Sequence, residues 1–281
     1  MIQNAGSRDA RTMEQIREHY EIEKELAARL RNAPKQERRY LYSSLYDELF
    51  QRVPLHPLLT QKSSPAEALQ AVHSQMRFLR RFVRPNITFL EVGPGDCALS
   101  VEMTKFAKQV YAVDVSDEIT KGLTSPSNFH LILSDGSNIP VPQNSVDVAY
   151  SHQLMEHLHP DDAFEQLQNI YNALVPGGNY ICITPNRLSG PHDISVFFDK
   201  VATGFHLKEY TTRELSGLFR KVGFSRIRIY VGFRGIHFIF PAPLLFLCEA
   251  LLYKLPTALR ESIARSRPFR VLLGIRLVGT K

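Results

Sequence analysis

The chain has 281 residues, 44% hydrophobic and 22% charged, which suits one large globular domain with an appendage and excludes a disordered or fibrous chain. Cys97, Cys182 and Cys248 are far apart and no C-x-x-C occurs, so neither a disulfide framework nor a zinc knuckle is indicated and a reducing cytoplasm fits best. The net charge of +6 belongs to the tail, where from Lys254 onward seven basic residues stand against Glu261 alone; a nucleic-acid-binding face spread over the fold is not expected. The opening MIQNAGSRDA is polar and charged, unlike a secretory leader.

From about Thr12 to Arg31, Met13, Ile16, Tyr20, Leu26 and Leu30 recur at helical intervals among strong helix formers. Asn32 to Lys35 breaks the pattern. Leu41, Leu45 and Leu49, with Tyr46 and Phe50, mark a second amphipathic helix. VPLHPLLT, Val53 to Thr60, reads as an extended linker because proline disfavours helix at the preceding residue. Ser64-Pro65-Ala66-Glu67 then reads as a capping box, followed by a buried stripe of Leu69, Val72, Met76, Leu79 and Val83. Residues 1–85 are thus expected to form a helical N-terminal extension or cap.

After Pro85, short apolar runs alternate with helical stretches, which is the signature of βαβ units. The predicted strands are Ile87–Val92, Gln109–Asp114, Phe129–Leu133, Val146–Ser151, Tyr180–Thr184, Ser225–Val231 and Leu272–Val278. A helix is predicted from about Asp161 to Leu174, with Ala163, Leu167, Ile170 and Leu174 on one face and Val175-Pro176-Gly177-Gly178 ending it. The expected fold of residues 86–281 is α/β: a Rossmann-like, seven-stranded, mostly parallel sheet with helices on both faces. An apolar and basic insert at about 236–270 precedes the last strand. Its run FIFPAPLLFLC, Phe238 to Cys248, has no charge but is too short and proline-broken for a membrane span.

In FLEVGPGDCALS, Phe89 to Ser100, an apolar strand runs into a Gly-x-Gly turn and a helix start. Free amides at a helix N-terminus and glycines that admit a ligand make an anion or polar-ligand site. Gly93-x-Gly95-x-x-Ala98 satisfies the dinucleotide fingerprint, and Asp114 follows Gly93 by 21 residues, where a carboxylate would hold ribose hydroxyls. Loop and aspartate together argue for an adenosine-type ligand. They do not separate NAD from other adenosyl cofactors.

Glu91 with Pro94, Ser134-Asp135-Gly136 after the third strand, and Leu174-Val175-Pro176-Gly177-Gly178 before the fifth break that tie. In this order they resemble the class I S-adenosylmethionine-dependent methyltransferases, in the small-molecule (type 11-like) branch, over roughly Ile87 to Val231. The family pattern has glycine where this chain has Cys97. The resemblance implies S-adenosylmethionine as cofactor, with Glu91, Gly93 and Gly95 along its methionine part. It implies Asp114 at the ribose, Val115 beside the adenine, Asp135 and Gly136 at the adenine, and Ser151 and His152 beside the sulfonium.

Methyl transfer is an in-line displacement with a good neutral leaving group, so positioning dominates, and a base is needed only for a hydroxyl or protonated amine acceptor. His157, in QLMEHLHP, and His206, in GFHLKEYTTREL, are the candidate catalytic bases or acceptor ligands; His192 is a third. Some ubiquinone-type O-methyltransferases carry a carboxylate three residues before a Glu-His pair, where this chain has Gln153, so no metal is expected. Pro160-Asp161-Asp162 reads as a helix start rather than an extension of a His157-x-His159 ligand set.

The leading expectation is a cytoplasmic methyltransferase acting on a small molecule, at oxygen, with the N-terminal helices covering the cofactor. A nicotinamide-dependent oxidoreductase is the alternative, but the Tyr-x-x-x-Lys pair of short-chain dehydrogenases occurs only as Tyr20–Lys24, ahead of the glycine loop. A third reading is a non-catalytic docking protein: residues 238–270 suit peripheral membrane contact, another chain or a homodimer. The basic tail also suits an anionic or lipid-linked acceptor.

Overall fold

The structure is a computed structural model and describes residues 9, 11–60, 64–116, 120 and 126–281. Most of the opening decapeptide therefore lies outside the described residues. Helix α1 (Met13–Asn32) starts at Thr12, whose hydroxyl accepts from the Gln15 amide while the Gln15 side chain returns to the Thr12 amide. Helix α2 (Lys35–Arg52) lies against it. The proline-bearing segment expected to be extended contains one helical turn, α3 (Pro57–Thr60). Proline suits a first helical position, and the His56 carbonyl accepts the Leu59 and Thr60 amides. Helix α4 (Pro65–Leu79) has the Ser64–Glu67 capping box. Val72, Met76 and Leu79 are buried, but Leu69 of the predicted stripe is exposed.

Eight strands form one sheet. They are β1 (Thr88–Val92), β2 (Gln109–Asp114), β3 (Phe129–Leu133), β4 (Val146–His152), β5 (Leu174–Thr184), β6 (Arg226–Phe233), β7 (Ile236–Phe240) and β8 (Ile275–Thr280), in the spatial order β3-β2-β1-β4-β5-β8-β6-β7. The first five are parallel; β8 runs antiparallel to both β5 and β6, and β7 antiparallel to β6. The sequence predicted seven strands. The eighth, β7, takes the start of the uncharged run, and Arg234 and Gly235, both at positive φ, make the two-residue turn that folds it back on β6.

Helix α4 and α5 (Ala98–Met103) cover one face of the sheet, over Phe89, Val110, Val148 and Ile181. Helices α1, α2, α6 (Pro160–Ala173) and α7 (Thr212–Val222) cover the other, over Leu90, Val92, Ala149 and Tyr180. The insert continues as α8 (Ala242–Lys254), α9 (Thr257–Ala264) and α10 (Arg267–Leu273), with a smaller core of Leu188, Leu252, Ala264 and Leu273. Among the described residues no helix is long and apolar enough to cross a membrane. Parallel strands β1, β2 and β4 end together at Val92, Asp114 and His152, the sheet edge where α/β folds bind ligands.

Candidate active site

Between β1 and α5 the chain turns through three left-handed residues: Gly93 (φ 68), Gly95 (φ 58) and Cys97 (φ 58). A Cβ on Gly93 would stand 2.9 Å from the Leu154 side chain, whereas one on Gly95 would meet nothing within 4 Å. Gly95 therefore presents bare backbone to open space, the condition for close approach by a ligand. Cys97 shares the left-handed backbone of the two glycines, and its side chain packs with Phe89, Leu99 and Met103. Burial pushes the thiol up to about 12, so it is an inert core group.

A cavity of about 840 Å³ opens beside this loop, inside the size range of cofactor sites. Gly93, Gly95, Asp114, Val115, Gly136 and His157 of the predicted site line it together. The Asp114 carboxylate, at the end of β2, accepts the Val115 amide (2.6 Å) and faces the Ser116 and Gly95 amides. Burial nonetheless raises its pKa, so it is a partly desolvated acceptor awaiting donors.

The other predicted residues stand behind the wall. Glu91 is buried and accepts from Ser100 Oγ (2.5 Å); burial raises it to about 8, which makes it a neutral carboxyl in the interior at pH 7. Asp135 braces its own turn through the Ser137 and Asn138 amides (3.0 and 2.8 Å) and pairs with Arg39 (3.2 Å), leaving Ser134, Gly136 and Asn138 on the cavity. Ser151 is buried against the Tyr180 hydroxyl (2.7 Å). His152 stacks on Tyr150, and burial lowers it to about 4. The residue that turns into the cavity after β4 is instead Gln153, at φ 56, followed by Leu154.

The N-terminal helices were expected to cover the cofactor, but the residues they bring to the cavity were not named. Tyr42, Tyr46 and Phe50 of α2 and Leu58 and Leu59 of α3 complete the cavity. Tyr42 packs so closely that a Cβ on Gly136 would stand 2.9 Å from its ring, which explains a glycine there at φ 88. Tyr46 and Phe50 were read as part of an amphipathic helix; that they face a ligand space, with Tyr42 beside them, was not.

Residues 90–182 match the family described as Methyltransferase domain. The chain is 29% identical over 138 residues to a probable S-adenosylmethionine-dependent methyltransferase of Mycolicibacterium smegmatis, covering 48% of this chain and 51% of the relative. It is 27% identical over 147 residues to one of Mycobacterium tuberculosis, covering 52% of each. The chain thus spans about half the length of the curated relatives it matches. A solved Archaeoglobus fulgidus methyltransferase superposes with TM-score 0.51 at 16% identity, over 85% of this chain and 100% of that one. A Mesorhizobium loti structure gives 0.50 at 17%, over 74% and 98%.

Residues 90–182 are thus similar to the class I S-adenosylmethionine-dependent methyltransferases, in their type 11-like branch. The residues present fit S-adenosylmethionine: the bare backbone of Gly95, the carboxylate of Asp114 and Gly136 border one cavity.

His157, on the wall of that cavity, belongs to a cluster drawn from distant segments. His157, in the turn after β4, has Nδ1 3.1 Å from both the Tyr46 hydroxyl and the Phe205 carbonyl oxygen. The His206 ring stands perpendicular to it at 4.8 Å, with Nδ1 2.8 Å from Glu209 Oε1. Burial opposes charge on both rings. It lowers His157 to about 3, while for His206 the Glu209 bond and the fields of Glu156 and Asp193 outweigh it and raise the pKa. Glu156 is wholly buried, and burial raises it to about 7. Its Oε2 accepts the Thr184 hydroxyl (2.8 Å), while Oε1 has no partner among the described residues. Helix α1 fixes this corner: Glu23 Oε1 accepts the Phe205 amide, and Arg31 donates to the carbonyls of Thr203 and Gly204. His192 is engaged elsewhere, with Ser189 Oγ (3.1 Å) and the Asn186 carbonyl (3.2 Å). His159 caps α6, as the Pro160-Asp161-Asp162 reading expected of a helix start.

Proposed function

We propose that this chain is an S-adenosylmethionine-dependent methyltransferase that methylates a small-molecule acceptor at oxygen. The observation that carries the reading is the continuity of one roofed cavity from the glycine loop and Asp114 to His157. Gly93 and Gly95 would hold the methionine part, Asp114 the ribose hydroxyls, and Val115, Ser134, Gly136 and Asn138 the adenine. The cofactor supplies an activated methyl on a sulfonium. The chain's own part is to hold the acceptor in line, exclude water beneath α2 and α3, and receive a hydroxyl at the His157 and His206 end, where the proton must leave. The nicotinamide alternative gains nothing from Tyr20 and Lys24, which bond each other (2.7 Å) and Asp199 away from the cavity lining.

Calorimetric titration with S-adenosylmethionine and, separately, NADH tests this. Saturable binding of the first and none of the second is expected; tight NADH binding with no S-adenosylmethionine binding would overturn the reading.

The acceptor is proposed to be lipid-linked and met at a membrane surface. Ile236, Phe238 and Ile239 of β7 and Leu244, Leu247 and Leu251 of α8 are each exposed, in the segment that runs on to Lys254, Arg260 and the basic residues of α10. Exposed apolar residues followed by basic ones suit an anionic interface. Co-sedimentation with anionic vesicles, weakened by Leu247→Asp/Leu251→Asp, is expected. A monodisperse dimer by light scattering without vesicle binding would assign this face to a second copy instead.

A further inference from the structure

Two sets of two histidines and one glutamate stand out among the described residues: His19–Glu23–His56 and Glu156–His157–His206. In each, one ligand atom from every residue lies within 4.8 Å of the others. Their composition is identical, but their wiring is opposite, and the wiring decides what each can hold.

A histidine that binds a metal presents one nitrogen lone pair and gives the N–H of its other nitrogen to an acceptor, which fixes tautomer and orientation. His157 Nδ1 faces the Phe205 carbonyl oxygen, which only accepts, so Nδ1 carries the proton. His206 Nδ1 faces the Glu209 carboxylate, with the same consequence. Nε2 of both rings then bears a lone pair, and neither makes a hydrogen bond among the described residues. The Glu156 carboxylate is oriented by Thr184 through Oε2 and leaves Oε1 buried without a partner among the described residues, an expensive arrangement unless something occupies it. Glu209 and Asp193 add negative charge around the set.

The first set is wired the other way. Arg11 Nη1 lies 2.8 Å from His19 Nδ1, and a guanidinium only donates, so Nδ1 accepts and Nε2 carries the proton. That proton goes to Glu23 Oε2 at 2.9 Å, and Glu23 Oε1 already holds the Phe205 amide. His56 Nδ1 accepts the Leu58 amide. This set is a staple between α1 and the loop that carries His206.

We propose that Glu156, His157 and His206 bind one divalent transition-metal ion where His157 forms the wall of the cavity, and that the acceptor hydroxyl is its further ligand. Two imidazoles and one carboxylate suit Zn²⁺, Fe²⁺ or Mn²⁺, whereas Mg²⁺ and Ca²⁺ prefer all-oxygen sets. Three protein ligands leave positions open, as in catalytic rather than structural sites. The substrate class this selects is a hydroxyl with a second oxygen on the neighbouring carbon, able to chelate. This second half rests on the methyltransferase reading. In the step, the bound hydroxyl loses its proton to water and its oxygen forms the new bond to the methyl carbon. The methyl–sulfur bond breaks with its electron pair to sulfur, leaving a neutral thioether.

The test uses the full chain, stripped with a chelator and titrated with Zn²⁺ by calorimetry. Stoichiometry is read by elemental analysis, and Co²⁺ serves as an optical probe. One equivalent is expected. His206→Ala and Glu156→Gln should each lose at least about 100-fold in affinity, Glu209→Gln about 10- to 100-fold because it only orients His206, and His19→Gln nothing. S-adenosylmethionine binding by the stripped protein is measured in parallel and should be unchanged, which also shows that each variant is folded. No Zn²⁺ or Co²⁺ binding by a protein that binds S-adenosylmethionine overturns the metal site alone, as does binding that survives His206→Ala or is lost in His19→Gln. Failure to bind S-adenosylmethionine strikes the functional reading instead.

Discussion

Asp162→Ala should lower the melting temperature by about 8–15 °C. Arg38 of α2 grips Asp162 of α6 through two parallel bonds (2.6 and 2.7 Å), with both side chains about 5% exposed or less. The Tyr42 hydroxyl donates to the same carboxylate (2.7 Å) and accepts the His159 amide (2.9 Å). Removing one partner strands a buried guanidinium, at a cost of about 3–5 kcal/mol, and each kcal/mol is worth roughly 2–4 °C in a chain of this size. Arg38→Met/Asp162→Leu should recover much of the loss, because no charge is left unpaired. Burial alone would raise the Asp162 pKa, but the Arg38 and Tyr42 bonds outweigh it and hold the carboxyl below its usual value. The pair's contribution is therefore complete near neutral pH and is lost as pH falls below about 4, through the depressed folded value. Thermal melts of wild type and variant should differ by a constant amount near neutrality and converge in acid. A gap that does not narrow in acid would contradict the assignment. The effect should reach the active site as well, since Tyr42 both closes this network and roofs the cavity over Gly136.

Asp114→Ala should weaken S-adenosylmethionine binding about 100-fold or more while leaving the fold intact. Hydrogen bonds to a charged group are worth about 1.5–3 kcal/mol each, two ribose hydroxyls double that, and each 1.4 kcal/mol is a factor of ten. Asp114→Asn keeps an acceptor oxygen and should fall between the two, near tenfold. The carboxylate also holds the Val115 amide, so a melting shift of a few degrees is expected from the alanine variant. Calorimetric affinities with melting curves separate the two effects. Wild-type affinity in the alanine variant would remove Asp114 from the cofactor site.

The parallel half of the sheet was legible because its strands are short apolar runs between turn signals, and β2 and β3 have the predicted bounds. The glycine loop was legible because only a left-handed backbone reaches α5 from β1. Cys97 shows that the backbone demand outlives the residue that usually meets it. The eighth strand was not legible, because an apolar run gives no period with which to split a strand from the following helix; the signal that could have split it was Arg234-Gly235. His157 and His206 were chosen singly, the first for its place after the fourth strand and the second for its place just before a helix. What they share with Glu156 and Glu209 is set by α1 holding the 203–206 segment, a contact across more than 170 residues that no local pattern encodes.

The position of β8 sets the order in which this chain can fold. Residues 275–280 come last in sequence, yet they lie between β5 and β6, which do not pair with each other. Until they arrive, the parallel half ends in an open edge at β5, and the β6–β7 hairpin has no sheet to join. Two exposed edges on an emerging chain invite wrong pairing. Joining the two parts through β8 is a closure of high contact order, which should make refolding slow relative to the parallel half alone.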